Sequence, residues 1–192
     1  MRLLLLGGTF NPIHVGHLMI AEEIAQEFVY DRVVFVPSFA PPHKSLASDA
    51  GPMARLAMLT LALAEYPAFL VDDCELRRKG VSYTMDTLEH IKAAYPLDGK
   101  LGLIIGDDLA SGFDSWRDPE GICKHADIIV ARRSGASFKL AYAHRLAYNM
   151  MLPVSSSDIR NRIASGRAWR PLVPAPVRSY IEDNALYRRG EL

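Results

Sequence analysis

Cysteine is scarce. Cys74 and Cys123 are the only two in 192 residues, too few for a disulfide framework and without metal-ligand company along the chain. An excess of one charge is also missing. Lys and Arg total 22, and Asp and Glu total 22, so no global basic field recruits nucleic acid and any anionic ligand must be held by local groups. No apolar stretch approaches the roughly 20 residues of a membrane span, and the run in the opening MRLLLLGG is too short for a signal-peptide core. Repeats, low-complexity tracts and long linkers are absent from the sequence. So are the most familiar nucleotide fingerprints. Without G-x-G-x-x-G an ordinary dinucleotide-binding dehydrogenase is disfavoured, and without G-x-x-x-x-G-K-[ST] a P-loop NTPase is removed.

What is present reads as an ordinary globular chain, with 49% hydrophobic and 23% charged residues. A chain of this length can bury roughly 70% of the surface it exposes when unfolded, so neither disulfide nor metal is needed for stability. The expected location is cytoplasmic. Residues 3–6, 33–36, 69–71, 101–105 and 128–131 are short apolar runs, as strands of a parallel sheet covered on both faces should be. Between them, segments near 16–28 and 52–65 carry apolar residues at helical spacing. So does SYTMDTLEHIKAAY, where Ser82 or Thr84 is expected as the N-cap. Alternating strands and helices predict an α/β, Rossmann-like fold with helices on both sheet faces. Past Pro153 two short helices follow, with Pro176 in the first turn of the second. The expectation is a single domain, 1–192, with a small helical C-terminal part from about 155.

Several motifs carry chemistry. Gly7 and Gly8 end the first strand and His14-Val15-Gly16-His17 opens the next helix. Glycines let backbone N–H groups approach an anion, and a helix N-terminus favours negative charge. Histidines three apart share one side of a helix start, so both imidazoles can face one phosphate. A zinc site is the other reading of two histidines, but no third ligand stands at convincing spacing. SSSDIR places serines at a helix start with Arg160 in the first turn, an arrangement for phosphate oxygens that helix capping alone also explains. PPHK, after the second strand, offers His43 and Lys44, the latter a movable point charge. IIGDDLASGFDSW follows a buried strand with aspartates, suited to ribose hydroxyls, and with Trp116, suited to stacking on a planar ring; capping and core packing explain them equally well.

Taken in order, GGTFNPIHVGH, PPHK, SYTMDTL, IIGDDL with its following Trp116, ARRSG, SSSDIR and the ending LVPAPVRSYIEDNALY resemble the bacterial nicotinate-nucleotide adenylyltransferases over nearly the whole chain. H-x-G-H with the S-S-x-x-I-R-type segment marks the wider nucleotidyltransferase superfamily. PPHK, SYT and the tryptophan point to its pyridine-nucleotide branch and away from phosphopantetheine adenylyltransferase. The resemblance implies adenylyl transfer from ATP to nicotinate mononucleotide, giving nicotinate adenine dinucleotide and pyrophosphate, with Mg²⁺ held mainly by the ATP phosphates. It implies that Gly7, Gly8, Thr9, Phe10, His14 and His17 hold the ATP phosphates, and that Ser156, Ile159 and Arg160 meet the distal ones. Gly106, Asp108 and Arg133 would lie along adenosine. His43, Lys44, Thr84 and Trp116 would bind the mononucleotide, with Lys44 on its phosphate, Trp116 on its ring and N–H groups near Thr84 on its carboxylate. His14, His17, Lys44 and Arg160 are the expected catalytic set. The same reaction on nicotinamide mononucleotide is the close rival, and a non-catalytic nucleotide-binding regulator is a more distant one. Nucleic acid and membrane are not expected partners, and self-association is left open. Asn11 departs from the aspartate of many relatives, and Ser134 replaces the proline of an R-P-G turn, which predicts a looser loop around Arg133.

Overall fold

A computed structural model describes residues 1–39, 49–135 and 137–188 of the chain. His43 and Lys44 lie outside the described residues.

The first strand, β1 (Leu3–Gly8), shows why the opening leucine run folds as it does. Side chains alternate across a strand, and here Leu4 and Leu6 enter a first apolar core while Leu3 and Leu5 enter a second. All four leucines are buried, each contributing roughly 1.5–3 kcal/mol relative to exposure. A continuous apolar run is what a strand covered on both faces requires. The same alternation holds in β2 (Arg32–Pro37), where Val33 and Phe35 face the first core and Val34 and Val36 the second.

The remaining strands are β3 (Phe69–Val71), β4 (Leu101–Gly106), β5 (Ala126–Ala131) and β6 (His144–Leu146). They form one sheet in the order β3-β2-β1-β4-β5-β6, with every pairing parallel. The expected parallel α/β architecture is therefore observed. The short, exposed β6 was not expected, because its side chains bury nothing that would mark it as a strand.

The first core is closed by α1 (Val15–Glu27), α2 (Pro52–Leu63), α7 (Ser156–Ala164) and α8 (Ala175–Asp183), through residues such as Ile24, Leu59, Ile159 and Ile181. The second is closed by α3 (Cys74–Arg78), α4 (Thr84–Ala94), α5 (Asp107–Ala110) and α6 (Pro119–His125), through residues such as Leu88, Ala110 and Ile122. Pro176 does sit in the first turn of α8. The N-cap of α4 is Tyr83, in extended conformation and with no side-chain cap bond, so neither Ser82 nor Thr84 takes that role; Thr84 is the first helical residue.

The strand order reverses between β1 and β4, and ligands of open parallel sheets bind in the crevice beyond the carboxyl ends at such a point. Both strands end there in glycine, Gly8 and Gly106. A Cβ on Gly106 would lie 2.2 Å from Asp108 Oδ1 and 2.8 Å from Arg133 Cδ, so a larger residue there would have to displace both side chains.

Candidate active site

The turn leaving β1 passes from Gly7, exposed, through Gly8 and Thr9 to Phe10, which has φ 49° and a buried ring. Phe10 packs 5.8 Å from Phe35 and edge-on to His17 at 5.1 Å between ring centres. Its side chain therefore anchors the turn, and only its backbone can serve a ligand.

His14 is the N-cap of α1, with extended backbone. Its ring stacks on that of His17 at 3.7 Å between centres, as the three-residue spacing requires. The His14 N–H donates to His17 Nδ1 at 3.3 Å, which fixes Nδ1 as acceptor and leaves the ring proton of neutral His17 on Nε2. His14 is only 3% exposed, and both its ring nitrogens are buried without a hydrogen-bond partner among the described residues. Buried polar atoms are nearly always bonded, so such a pair at the mouth of a sheet crevice marks a place shaped for a ligand. Burial, with the Arg133 guanidinium adding to it, pulls the His14 pKa down to about 3; the ring is neutral at physiological pH. Gly16 lets this arrangement close, since a Cβ there would meet Val154 Cγ1 at 2.9 Å and His14 Nδ1 at 3.1 Å.

Helix α7 docks onto this turn. Ser156 Oγ donates to the Pro12 carbonyl at 2.8 Å, and Arg160 Nη1 donates to the Asn11 carbonyl at 2.8 Å. Arg160 Nη2 reaches Ser157 Oγ at 3.2 Å, and Ser155 Oγ caps the helix by accepting from the Asp158 N–H. The serine run is thus divided between capping and the site. Ile159 is fully buried and its N–H donates to the Ser155 carbonyl. Asn11 Oδ1 accepts from Tyr187 at 2.6 Å and from the Ala50 N–H at 3.3 Å, acceptances that an aspartate oxygen could equally make.

Across the crevice, Asp107 and Asp108 have separate tasks. Asp107, 4% exposed, accepts from the N–H groups of Arg133, Ser134 and Gly135 and from the Ser134 hydroxyl at 2.9 to 3.2 Å. Burial alone would raise its pKa, but these donors overcome that and hold it below the ordinary carboxylate value. The loop around Arg133 is therefore firmly tied. Ser134 tightens it with two donors that proline lacks, contrary to the looseness its presence suggested. Asp108 faces outward and pairs with Arg133 Nη1 at 3.4 Å. Trp116 is half-buried, tilted 43° against Phe113 at 5.1 Å. Thr84 opens α4, and the side chain of its N-cap, Tyr83, makes no cap bond.

Two features escape a reading of the sequence. Arg55 looks like a solvated helix residue, yet it is completely buried. It donates to the carbonyls of Thr9 (2.9 Å), Ser38 (2.7 Å) and Phe39 (3.2 Å) and pairs with Asp49 at 3.0 Å. No local pattern announces it, because every acceptor comes from another part of the chain. The second is that Cys74 does have potential metal ligands around it: its sulfur and the ligand atoms of Asp72 and His90 lie within 4.8 Å of one another. Asp72 is nevertheless already satisfied by the Cys74 N–H at 2.9 Å, His90 Nε2 at 3.1 Å and the Tyr95 hydroxyl at 3.2 Å. Burial, with the Asp72 charge adding to it, pushes the Cys74 thiol up to about 12, so it is an inert core thiol rather than a nucleophile.

Comparison with known proteins agrees with this geometry. The cytidylyltransferase-like family model matches residues 5–162. A Borrelia garinii subsp. bavariensis protein named probable nicotinate-nucleotide adenylyltransferase is 44% identical over 97% of this chain and 95% of its own. A Treponema pallidum protein of the same name is 40% identical over 98% of this chain and all of its own. Among solved structures, the Plasmodium falciparum nicotinic acid mononucleotide adenylyltransferase complexed with NaAD superposes with a TM-score of 0.77 at 19% identity, covering 97% of both chains. The latter likeness is one of fold. With the crevice at the β1/β4 reversal, the stacked histidines and relatives that match end to end, the chain belongs to the nicotinate-nucleotide adenylyltransferase family of cytidylyltransferase-like proteins.

Proposed function

We propose that this protein transfers the adenylyl group of ATP to nicotinate mononucleotide, releasing pyrophosphate and forming nicotinate adenine dinucleotide. The observation that carries this reading is His14: a neutral, buried imidazole whose two nitrogens make no hydrogen bond among the described residues, stacked on His17 where the strand order reverses.

The attacking group is a phosphate oxygen, already ionised, so no general base is required. The protein's task is to align that oxygen with the α-phosphorus and to stabilise charge building on the transferring phosphate and on pyrophosphate. His17, with its proton directed to Nε2, and His14 are placed to donate to α-phosphate oxygens. The backbone turn at residues 7–10 and the α1 N-terminus add oriented dipoles. Arg160, held 2.8 Å from the Asn11 carbonyl, and Ser156 stand where the distal phosphates would extend. Lys44 and His43 complete the proposed set at the mononucleotide phosphate. Hydrogen bonds from a group as buried as His14 are stronger than in water and need no reorganisation as the reaction proceeds.

Mg²⁺ would arrive with ATP. Asp107 is committed to the Arg133 loop, Asp49 to Arg55 and Asp108 to the Arg133 guanidinium, so phosphate oxygens and water would supply most of its ligands. Its chemistry there is neutralisation of phosphate charge.

The acceptor preference follows from α4. The N–H groups at its start, to which the N-cap Tyr83 offers no side-chain acceptor, would donate to a carboxylate, whereas an amide would also demand an acceptor. Trp116 provides the ring platform, and Asp108 and Arg133 flank adenosine. Purified protein with ATP and Mg²⁺ should release pyrophosphate with nicotinate mononucleotide at a kcat/KM well above that for nicotinamide mononucleotide. No pyrophosphate with either acceptor would refute the reaction, and equal values would refute the acceptor preference.

A further inference from the structure

Arg55 is completely buried and meets no substrate itself, yet its bonds join parts of the chain that belong to different substrates. We infer that Arg55 is a positioning residue, which sets the ATP-phosphate turn after β1 and the segment leaving β2 in fixed register with each other. This rests on the reaction proposed above for what each segment binds, but the linkage itself is geometric.

A guanidinium carries its donors in a rigid plane. Here one edge, Nη1, bridges the Thr9 carbonyl at 2.9 Å and the Ser38 carbonyl at 2.7 Å. Nη2 continues to Phe39 at 3.2 Å, and Nε faces Asp49 at 3.0 Å, which supplies the counter-charge. Thr9 lies in the turn that carries His14 and His17. Ser38 and Phe39 are the last described residues before His43 and Lys44, and Asp49 is the first described residue after them. The Phe39 N–H in turn donates to Ser82 Oγ at 3.3 Å, two residues before Thr84 and the start of α4. One buried side chain thus ties the phosphate turn to the acceptor side of the crevice. Ladder pairing of β1 with β2 ends at Gly8 and Pro37, and the Ser38 N–H makes one further bond to the Gly8 carbonyl; beyond that, Arg55 carries the register.

Burying a charge is costly, and an apolar side chain would serve as well or better if filling space were the purpose. Three carbonyls from two loops, all pointing at one guanidinium, are explained by alignment. In-line transfer depends on the distance between the attacking oxygen and the α-phosphorus, and a misplacement of about 1 Å can cost on the order of 10²-fold in rate.

The test compares wild type with Arg55→Lys, which keeps the charge but cannot span both carbonyls. At a temperature where circular dichroism shows the variant folded, kcat at saturation in both substrates should fall by at least ~10-fold. Backbone amides of residues 7–10 and 38–39 should lose hydrogen-exchange protection together, a readout that needs no substrate and holds even if the proposed reaction is wrong. An unchanged kcat in folded Arg55→Lys, or loss of protection in only one of the two segments, would overturn the linkage. If Arg55→Lys does not fold, Asp49→Asn replaces it, since it leaves the three carbonyl bonds but removes the anion that orients the guanidinium. A several-fold fall in kcat with joint loss of protection then supports the inference, and wild-type kcat and protection overturn it.

Discussion

On the β1 side of the crevice His14 is 3% exposed, with both ring nitrogens unpartnered among the described residues, whereas on the β4 side Arg133 is 36% exposed and already paired with Asp108. The backbone around each is held differently as well. On the β1 side the turn is fixed by groups arriving from α2 and α7: Arg55 on Thr9, Arg160 on Asn11 and Ser156 on Pro12. On the β4 side a single buried carboxylate, Asp107, fixes the loop through three backbone N–H groups and the Ser134 hydroxyl, while the Arg133 side chain stays exposed. The difference matches two tasks. Charge that develops during transfer is best met by buried donors that need no rearrangement. A nucleoside that must enter and leave is met by exposed, screened groups on a firm backbone.

The contrast can be broken first at His14. His14→Gln should lower kcat by on the order of 10²-fold, the scale of losing one electrostatic stabiliser. It should also change the acid response of the free protein. The folded pKa of about 3 lies below the ordinary 6.5. His14 therefore contributes stability that is present above pH ~6.5 and lost as pH falls from there towards ~3, because the unfolded chain takes up a proton that the fold excludes. Urea midpoints at pH 7 and pH 5 should drop more for wild type than for His14→Gln; parallel drops would place His14 in contact with water.

Asp107→Ala should come next in size. It leaves the N–H groups of Arg133, Ser134 and Gly135 without their acceptor, costing about 1–3 kcal/mol. In thermal unfolding this should appear as a lower Tm, and in kinetics as a raised KM for ATP with kcat nearly kept. A large fall in kcat would mean that the β4 side takes part in the transfer step.

How much of this could be read from the residues depended on distance along the chain. The leucine run, Gly7 and Gly8, and the HVGH spacing are local signals, and the strand, turn and helix start they imply are observed. The α4 cap was misread because Ser82 looks like a cap in isolation but lies one residue too early; its hydroxyl serves Phe39 instead. Helices α3, α5 and α6 and strand β6 are too short to show a period. Arg55 and the neighbours of Cys74 were hidden for a stronger reason. Their partners, Thr9 and Ser38 for one and His90 for the other, are brought in only by the folded sheet. Asp107 and Asp108 are adjacent, so nothing local tells which one turns inward to hold Ser134.

The most direct measurement sets the two sides against each other in one assay, with saturating ATP, Mg²⁺ and nicotinate mononucleotide. His17→Ala should lower kcat by at least ~10²-fold. Arg133→Ala, whose exposed ion pair with Asp108 contributes no more than about 1 kcal/mol, should raise the KM for ATP by less than ~10-fold and leave kcat within a small factor of wild type. Equal losses of kcat in the two variants would contradict the division between a buried transfer side and an exposed recognition side.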